Sequence, residues 1–155
     1  MIPTTLGEMI AGQKLLTVAP GDSVRAACIL MSSGNVGALP VVDEDGALVG
    51  MISERDVIKR SVIVYRPSEE TPVSLIMTRD PRWLPPDAPP RAAADAMREG
   101  GFRHLPVCGE GGLMGIVSVR DFDVAGNPVP SRDARAAVNA VNGRPGRPPS
   151  ALRSA

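Results

Sequence analysis

Two short segments of the chain place a serine three positions before an aspartate. They read GMISERD at residues 50–56 and GIVSVRD at residues 115–121. The spacing is close to a helix capping box, in which the serine hydroxyl accepts a bond from a backbone N–H and the carboxylate reaches back. The same carboxylate can accept the hydroxyl groups of a ribose, and a helix N-terminus favours phosphate. The motif therefore allows two interpretations, a structural cap and a nucleotide site.

Little other chemistry is available to this chain. His104 is its only histidine, and Cys28 and Cys108 are far apart in the sequence. The sequence contains no P-loop, no G-x-S-x-G and no H-E-x-x-H pattern. We therefore predict no catalytic residue, no metal site and no enzymatic activity. For His104 the sequence leaves two main roles open, an ordinary hydrogen-bonded imidazole and a contact to phosphate.

The two motifs are part of a longer internal repeat. When the chain is shifted by 66 positions, residues 22–42 align with residues 88–108, and the two LPV triplets coincide. In each copy, apolar residues at helical spacing precede LPV, and a turn and a second apolar strand lead into the motif. Each copy therefore predicts the order strand, helix, strand, strand, helix. We expect the glycine that opens each motif to let another part of the chain pass close by.

These elements predict an α+β fold (mixed α/β) built from two similar units, residues 1–66 and 67–123. A unit of about sixty residues buries too little surface to be stable alone. We therefore expect the two units to pack through their sheets with pseudo-twofold symmetry. Gly126 and Pro128 should stop the last helix, and residues 124–155, rich in Arg, Pro and Gly, are predicted to be a largely disordered tail.

The charge balance argues against binding to nucleic acids or membranes. The chain has 17 basic and 17 acidic residues, but residues 124–155 hold five arginines and one aspartate, so the remainder is net negative. A negative body is poorly suited to a phosphate backbone, although the tail could contact an acidic partner. No apolar run approaches the roughly 20 residues of a membrane span, and the first residues lack the features of a secretory signal. We predict a cytoplasmic protein.

Taken together, the tandem LPVV and LPVC strands, the paired GxxSxxD motifs and the segment PVSLIMTRD resemble a pair of cystathionine-β-synthase (CBS) domains, also called a Bateman module. The resemblance covers residues 5 to about 123. It implies a regulatory sensor that binds AMP, ADP or ATP in clefts between the two units and requires no cofactor. It also implies a flat homodimer and a separate protein partner that the module regulates.

The resemblance further implies which residues form the two clefts, each with a base side in one unit and S-x-x-D in the other. In the first cleft, Ser118 and Asp121 hold ribose and phosphate, Arg103 and His104 supply phosphate contacts, and the base lies near Leu15, Leu16, Val36, Gly37 and Ala38. In the second cleft, Ser53 and Asp56 hold the ribose, Arg82, Phe102, Arg103 and His104 lie on the base side, and Arg120 lies near the phosphates. Because more cations reach the Asp121 cleft, we expect polyphosphates to bind more tightly there.

Several alternatives stay open at this stage. The protein could be a structural dimerisation module with vestigial clefts, or it could bind another adenosyl ligand such as NAD or S-adenosylmethionine. The apolar run VIVY at residues 62–65 fits a subunit contact and ordinary helix packing equally well. Trp83 could stack on adenine, although strand packing is the more common role of such a residue.

Overall fold

The computed structural model of the protein describes residues 1–130. Residues 131–155, which make up most of the predicted tail, lie outside the described part. The elements in chain order are α1 (Leu6–Ile10), α2 (Val24–Gly34), β1 (Ala38–Val42), β2 (Leu48–Ser53), α3 (Glu54–Val57), α4 (Val73–Ile76), β3 (Thr78–Arg79), α5 (Pro90–Gly100), β4 (His104–Gly109) and β5 (Gly112–Ser118). A π-helical segment (Ile58–Val62) continues α3, and a 3-10 turn (Val119–Asp121) follows β5.

The two long helices begin and end with local signals. The Ser23 hydroxyl caps α2 by accepting a bond from the backbone of Ala26, and Asn35 ends the helix in the left-handed conformation with φ 51°. Pro90 is the first residue of α5, where its missing N–H costs nothing. Gly101 ends α5 with φ 69°. Each helix packs its apolar face on the hairpin that follows it.

Each unit contains one antiparallel hairpin, β1–β2 in the first and β4–β5 in the second. β3 adds to the edge of β2. The strand predicted before each long helix is reduced to a single parallel bridge, Val18 with Val41 and Leu84 with Val107. The sheets are therefore smaller than the repeat pattern predicted.

The closing helices of the two units differ in length. In the first unit, α3 and its π-helical extension reach Val62. In the second unit, the 3-10 turn gives way to a short hairpin in which Phe122 bridges Pro128. Asp123 holds this hairpin by accepting bonds from the backbone of Ala125 and Asn127, each at 2.9 Å. Residues 124–130, the first part of the predicted tail, thus have a defined conformation.

The short helix that precedes each unit in sequence packs on the other unit. The bonds that hold α1 run from Leu6 N–H to Ala88 O and from Gly7 N–H to Pro86 O, at 2.9 and 2.8 Å. The equivalent bonds of α4 run from Val73 N–H to Asp22 O and from Ser74 N–H to Pro20 O, at 2.8 and 2.9 Å. The acceptors are related by the same 66-residue shift as the repeat, which is the expected signature of a pseudo-twofold axis.

This exchange explains the glycine that opens each motif. A side-chain carbon on Gly50 would lie 2.5 Å from Met77 Sδ and 2.9 Å from Thr78 O. A side-chain carbon on Gly115 would lie 2.8 Å from Ile10 Cβ and 2.8 Å from Gln13 Oε1. The segments after α4 and α1 therefore cross the two hairpins at these positions, and the predicted close approach is confirmed.

Each unit has its own hydrophobic core, and each core includes residues of the exchanged helix. The first core consists of Val18, Val24, Ala27, Met31, Leu39, Val41, Ile52, Val73, Ile76 and Met77. The second consists of Leu6, Ile10, Ala93, Met97, Leu105, Val107 and Val117. The predicted α+β fold with two units is confirmed. The predicted boundary at residue 66 divides the chain by sequence, whereas α1 and α4 each pack on the unit on the other side of that boundary. Among the helices of residues 1–130, none has the length and apolarity that a membrane crossing requires.

Candidate functional site

Both Ser-x-x-Asp motifs form capping interactions. Ser53 Oγ accepts a bond from Asp56 N–H at 3.2 Å, and Asp56 Oδ2 accepts bonds from Ser53 N–H at 2.9 Å and Ser53 Oγ–H at 3.0 Å. Asp121 Oδ2 accepts a bond from Ser118 N–H at 2.7 Å, and Ser118 Oγ accepts one from Arg120 N–H at 3.2 Å. The structural interpretation of the motif is therefore realised in both units.

The caps leave one oxygen of each carboxylate available. Within residues 1–130, neither Asp56 Oδ1 nor Asp121 Oδ1 accepts a hydrogen bond. Both aspartates are half-buried, as are Ser53 and Ser118. A carboxylate oxygen without a partner is suited to accept a bond from a hydroxyl group, so capping does not prevent a second role in binding.

The helix starts themselves are poorer phosphate sites than the sequence suggested. Glu54 N–H is bonded to Gly37 O at 3.0 Å, and Val119 N–H is bonded to Arg103 O at 2.9 Å. The serine hydroxyls occupy a further N–H at each start. The 3-10 turn has only three residues, so little helix dipole is available there to favour an anion, whereas α3 and its π-helical extension run from Glu54 to Val62. Cationic side chains would have to hold any phosphate.

The residues before each LPV lie beside the motif of their own unit. The hairpins pair Ala38 with Ser53 and His104 with Ser118. The sequence had combined Gly37 and Ala38 with Asp121, across the two units. The antiparallel register brings them next to Ser53, because both ends of one hairpin meet at the same edge of its sheet, and their pairing with Asp121 across the units stays a prediction.

The two units meet at His104, along a line of contact that we call the seam. A side-chain carbon on Gly37 would lie 3.7 Å from His104 Cε1 and 3.5 Å from Glu54 Oε2. Burial, followed by the charges of Arg103 and Arg120, lowers the pKa of the His104 imidazole from 6.5 to about 4. His104 is therefore neutral at pH 7, and two guanidinium groups lie close enough to repel a proton from it.

The other predicted site residues lie at varying distances from the seam. Leu16 packs against Gly34 at the end of α2, and Phe102 packs against Gly100 and the second core. Arg82 is exposed, and Trp83 keeps 53% of its surface exposed, which disagrees with a role in strand packing. Leu15 is half-buried and Val36 is exposed.

Two residues near the motifs were not anticipated. The Gln13 side chain donates to Ile116 O and accepts from Ile116 N–H, both at 2.8 Å, so that its amide pairs with β5 as a strand would. Glu54 approaches the seam as described above. A comparison of SERD with SVRD could have drawn attention to Glu54, whereas nothing in the sequence pointed to Gln13.

An open groove of about 410 Å³ lies away from both motifs, along the outer face of α2. Its lining residues are Arg25, Cys28, Ile29, Ser32, Ser33 and Ser68. None of them belongs to either motif or to the seam. The groove is therefore separate from the candidate site.

Comparison with known proteins supports the architecture. Residues 7–63 and 73–125 match the family described as CBS domain. The CBS domain-containing protein YhcV of Bacillus subtilis is 33% identical over 129 residues, which are 83% of this chain and 89% of that protein. A signal-transduction protein with CBS domains from Burkholderia ambifaria has a solved structure that is 31% identical, with a TM-score of 0.71, covering 92% of this chain and 98% of that one.

A further solved structure includes a ligand. The protein CBSX2, solved in complex with AMP, is 28% identical to this chain with a TM-score of 0.64. The similarity covers 90% of this chain and 99% of CBSX2.

Proposed function

Because the chain belongs to the CBS-domain family, we propose that it is a non-catalytic regulatory module that binds AMP, ADP or ATP between its two units. The observation that carries the proposal is that the half-buried residues Asp56 and Asp121 each keep one carboxylate oxygen without a hydrogen-bond partner among residues 1–130. The AMP complex of the similar protein CBSX2 supports an adenine nucleotide as the ligand.

The proposed roles follow from the chemistry of each group. Asp56 Oδ1 and Asp121 Oδ1 accept ribose hydroxyl groups, as acidic residues do in dinucleotide-binding folds. Arg103 and Arg120 hold phosphate by charge-assisted bonds. The backbone around Gly37 and the apolar surface near Leu16 are left for the base. We propose no cofactor beyond the nucleotide itself.

Regulation would act through the exchanged helices. A ligand shifts a conformational equilibrium only if it binds the two states with different affinity. A ligand in the seam contacts both units, so its affinity depends on the angle between them. Since α1 and α4 each connect one unit to the other, a change in that angle would move both helices and alter the surface offered to a regulated partner.

A homodimer belongs to the same proposal. The residues around the end of the π-helical segment expose an apolar surface, with exposed fractions of 54% for Ile58, 64% for Val62, 62% for Ile63, 51% for Val64 and 93% for Tyr65. A contiguous apolar surface of this kind is typical of an interface. Measuring the molar mass of the wild type and of Ile63→Asp by light scattering tests the dimer, which should dissociate in the variant.

Titration calorimetry with AMP, ADP, ATP, NAD and S-adenosylmethionine tests the ligand. Asp56→Asn and Asp121→Asn each keep an amide oxygen for the cap but replace the free carboxylate oxygen with an NH2 group. We expect each change to weaken one site by at least about tenfold, because a hydrogen bond to a charged group contributes about 1.5–3 kcal/mol.

Asp45→Asn, in the exposed turn between β1 and β2, is the control for the change in charge. Unaltered binding in both site variants would contradict the assignment of the aspartates. Preferential binding of NAD or S-adenosylmethionine would replace the nucleotide proposed here, and the absence of binding by any of the five ligands would favour a structural dimerisation module.

A further inference from the structure

The two motifs differ in the residue that follows the serine. In the first motif this residue is Glu54, whose side chain is exposed at the start of α3. In the second motif the same position is Val119, which carries no charge. The two Ser-x-x-Asp motifs themselves therefore differ by one carboxylate, in addition to the difference between Gly37-Ala38 and Arg103-His104 beside them.

The Glu54 carboxylate is directed to the seam. Its Oε2 and His104 Cε1, which come from different units, lie 3.5 and 3.7 Å from the same point, the position of a side-chain carbon on Gly37. A glycine at residue 37 leaves this space open between the two groups. Any ligand that reaches Gly37 from the seam must pass close to the Glu54 carboxylate.

The charges around this point are not paired with one another. Arg103 and Arg120 both act on the His104 imidazole. The salt bridges within residues 1–130 join Arg25 to Glu69 and both Arg91 and Arg98 to Asp95, so none involves Glu54 or the two arginines of the seam. The seam thus contains two cations contributed by the second unit and one anion contributed by the first.

From this arrangement we infer that Glu54 limits the number of phosphates accepted at the Ser53–Asp56 motif, so that this motif takes AMP while ADP and ATP are directed to the Ser118–Asp121 motif. The inference rests on the proposed function and specifies which ligand each motif prefers. A phosphate near Ser53 meets the Glu54 carboxylate, whereas a phosphate near Ser118 meets the uncharged Val119 at the equivalent position. Arg55 and Arg120 occupy the same place in the two motifs, so the carboxylate is the charge that distinguishes them.

Glu54→Gln and Val119→Glu together test the inference. The first removes the carboxylate from one motif, and the second introduces one at the equivalent position of the other. We expect Glu54→Gln to raise ATP affinity relative to AMP affinity by roughly fivefold at the first motif, and Val119→Glu to lower that ratio by a similar factor at the second, as expected for charges several ångströms apart near a surface. Both effects should shrink as the salt concentration rises.

The measurement is titration calorimetry of the full chain with AMP and with ATP at fixed ionic strength. The Asp121→Asn background reports the first motif for Glu54→Gln, and the Asp56→Asn background reports the second motif for Val119→Glu. Glu44→Gln is the matched control, because it removes one exposed carboxylate from the turn at the far end of the β1–β2 hairpin. It should leave the ratio of ATP to AMP affinity unchanged.

The outcomes separate the two proposals. Nucleotide binding with an unchanged ratio in Glu54→Gln and Val119→Glu overturns the role of Glu54 and leaves the proposed function intact. An equal change in Glu44→Gln would also overturn it, because the effect would then reflect net charge alone. Absence of nucleotide binding in the wild type would overturn the proposed function and this inference with it.

Discussion

In the first unit, α3 continues through the π-helical segment to Val62, whereas in the second unit Ser118 starts only a 3-10 turn of three residues. The units also differ at the seam, where Gly37 and Ala38 of the first correspond to Arg103 and His104 of the second. The positions that hold the fold together, the LPV strands, the opening glycines and the capping pairs, are the same in both. The repeat is therefore conserved within the chain where the fold requires it and varied at the seam.

The largest effect on stability should come from filling the two crossing points. Gly50→Ala places a methyl group 2.9 Å from the backbone oxygen of Thr78, which cannot move as a flexible side chain would. Gly115→Ala places one 2.8 Å from Ile10 Cβ. Overpacking of this kind costs about 1–3 kcal/mol. We expect the free energy of unfolding of both variants, measured by urea denaturation, to decrease by an amount near the upper end of this range.

Gly111→Ala is the control, because no atom of residues 1–130 lies within 4 Å of its added methyl group. If either Gly50→Ala or Gly115→Ala is as stable as this control, the crossing segment does not pack against that hairpin as closely as in the structure. A large difference between the two would show that one crossing supports the fold more than the other.

An intermediate effect should come from His104, which corresponds to Ala38 of the first unit. Its pKa is lowered to about 4 in the folded protein, against a usual value of 6.5. Below pH 6.5 the unfolded chain binds a proton that the folded chain does not. The free energy of unfolding therefore decreases as the pH is lowered, until His104 titrates in the folded state near pH 4. Between pH 6.5 and 5 the loss should be about 2 kcal/mol.

Urea denaturation at a series of pH values measures this loss. The variant His104→Gln has no titrating group at this position, so its stability should fall less than that of the wild type over the same range. Identical pH profiles for the two proteins would contradict the burial of a neutral imidazole at the seam.

The smallest effect should come from Gln13, whose amide pairs with the backbone of Ile116. Gln13→Ala removes two hydrogen bonds that water can partly replace, because Gln13 is exposed. We expect a loss of about 1 kcal/mol in urea denaturation. The neighbouring Lys14→Ala is the control, because Lys14 is exposed and its side chain makes no hydrogen bond or ion pair within residues 1–130. Equal stability of the two variants would show that the amide pairing adds nothing measurable.

Much of the fold could be predicted from local patterns. The Ser23 cap, Pro90 at the start of α5 and the alternating apolar residues of the LPV strands each act over a few residues, so the sequence identifies them directly. The exchange of α1 and α4 could not be predicted in this way. Their sequences, LGEMI and VSLI, are similarly apolar, so apolarity alone does not assign either helix to one sheet.

The candidate site shows the same division. The sequence identified Asp56 and Asp121, because a serine and an aspartate three positions apart form a local pattern that occurs twice. It did not show that Gly37 also lies next to Ser53, since the hairpin register depends on the position of the turn between the strands.

The sequence by itself therefore determined the repeat, the class of fold and the residues that form the two caps. Only the tertiary structure decided which unit each short helix covers and which charges meet at the seam. The physical reason is range: caps and strand patterns depend on neighbours a few positions away, whereas Glu54 and His104 are brought to the same point by the packing of two separate units.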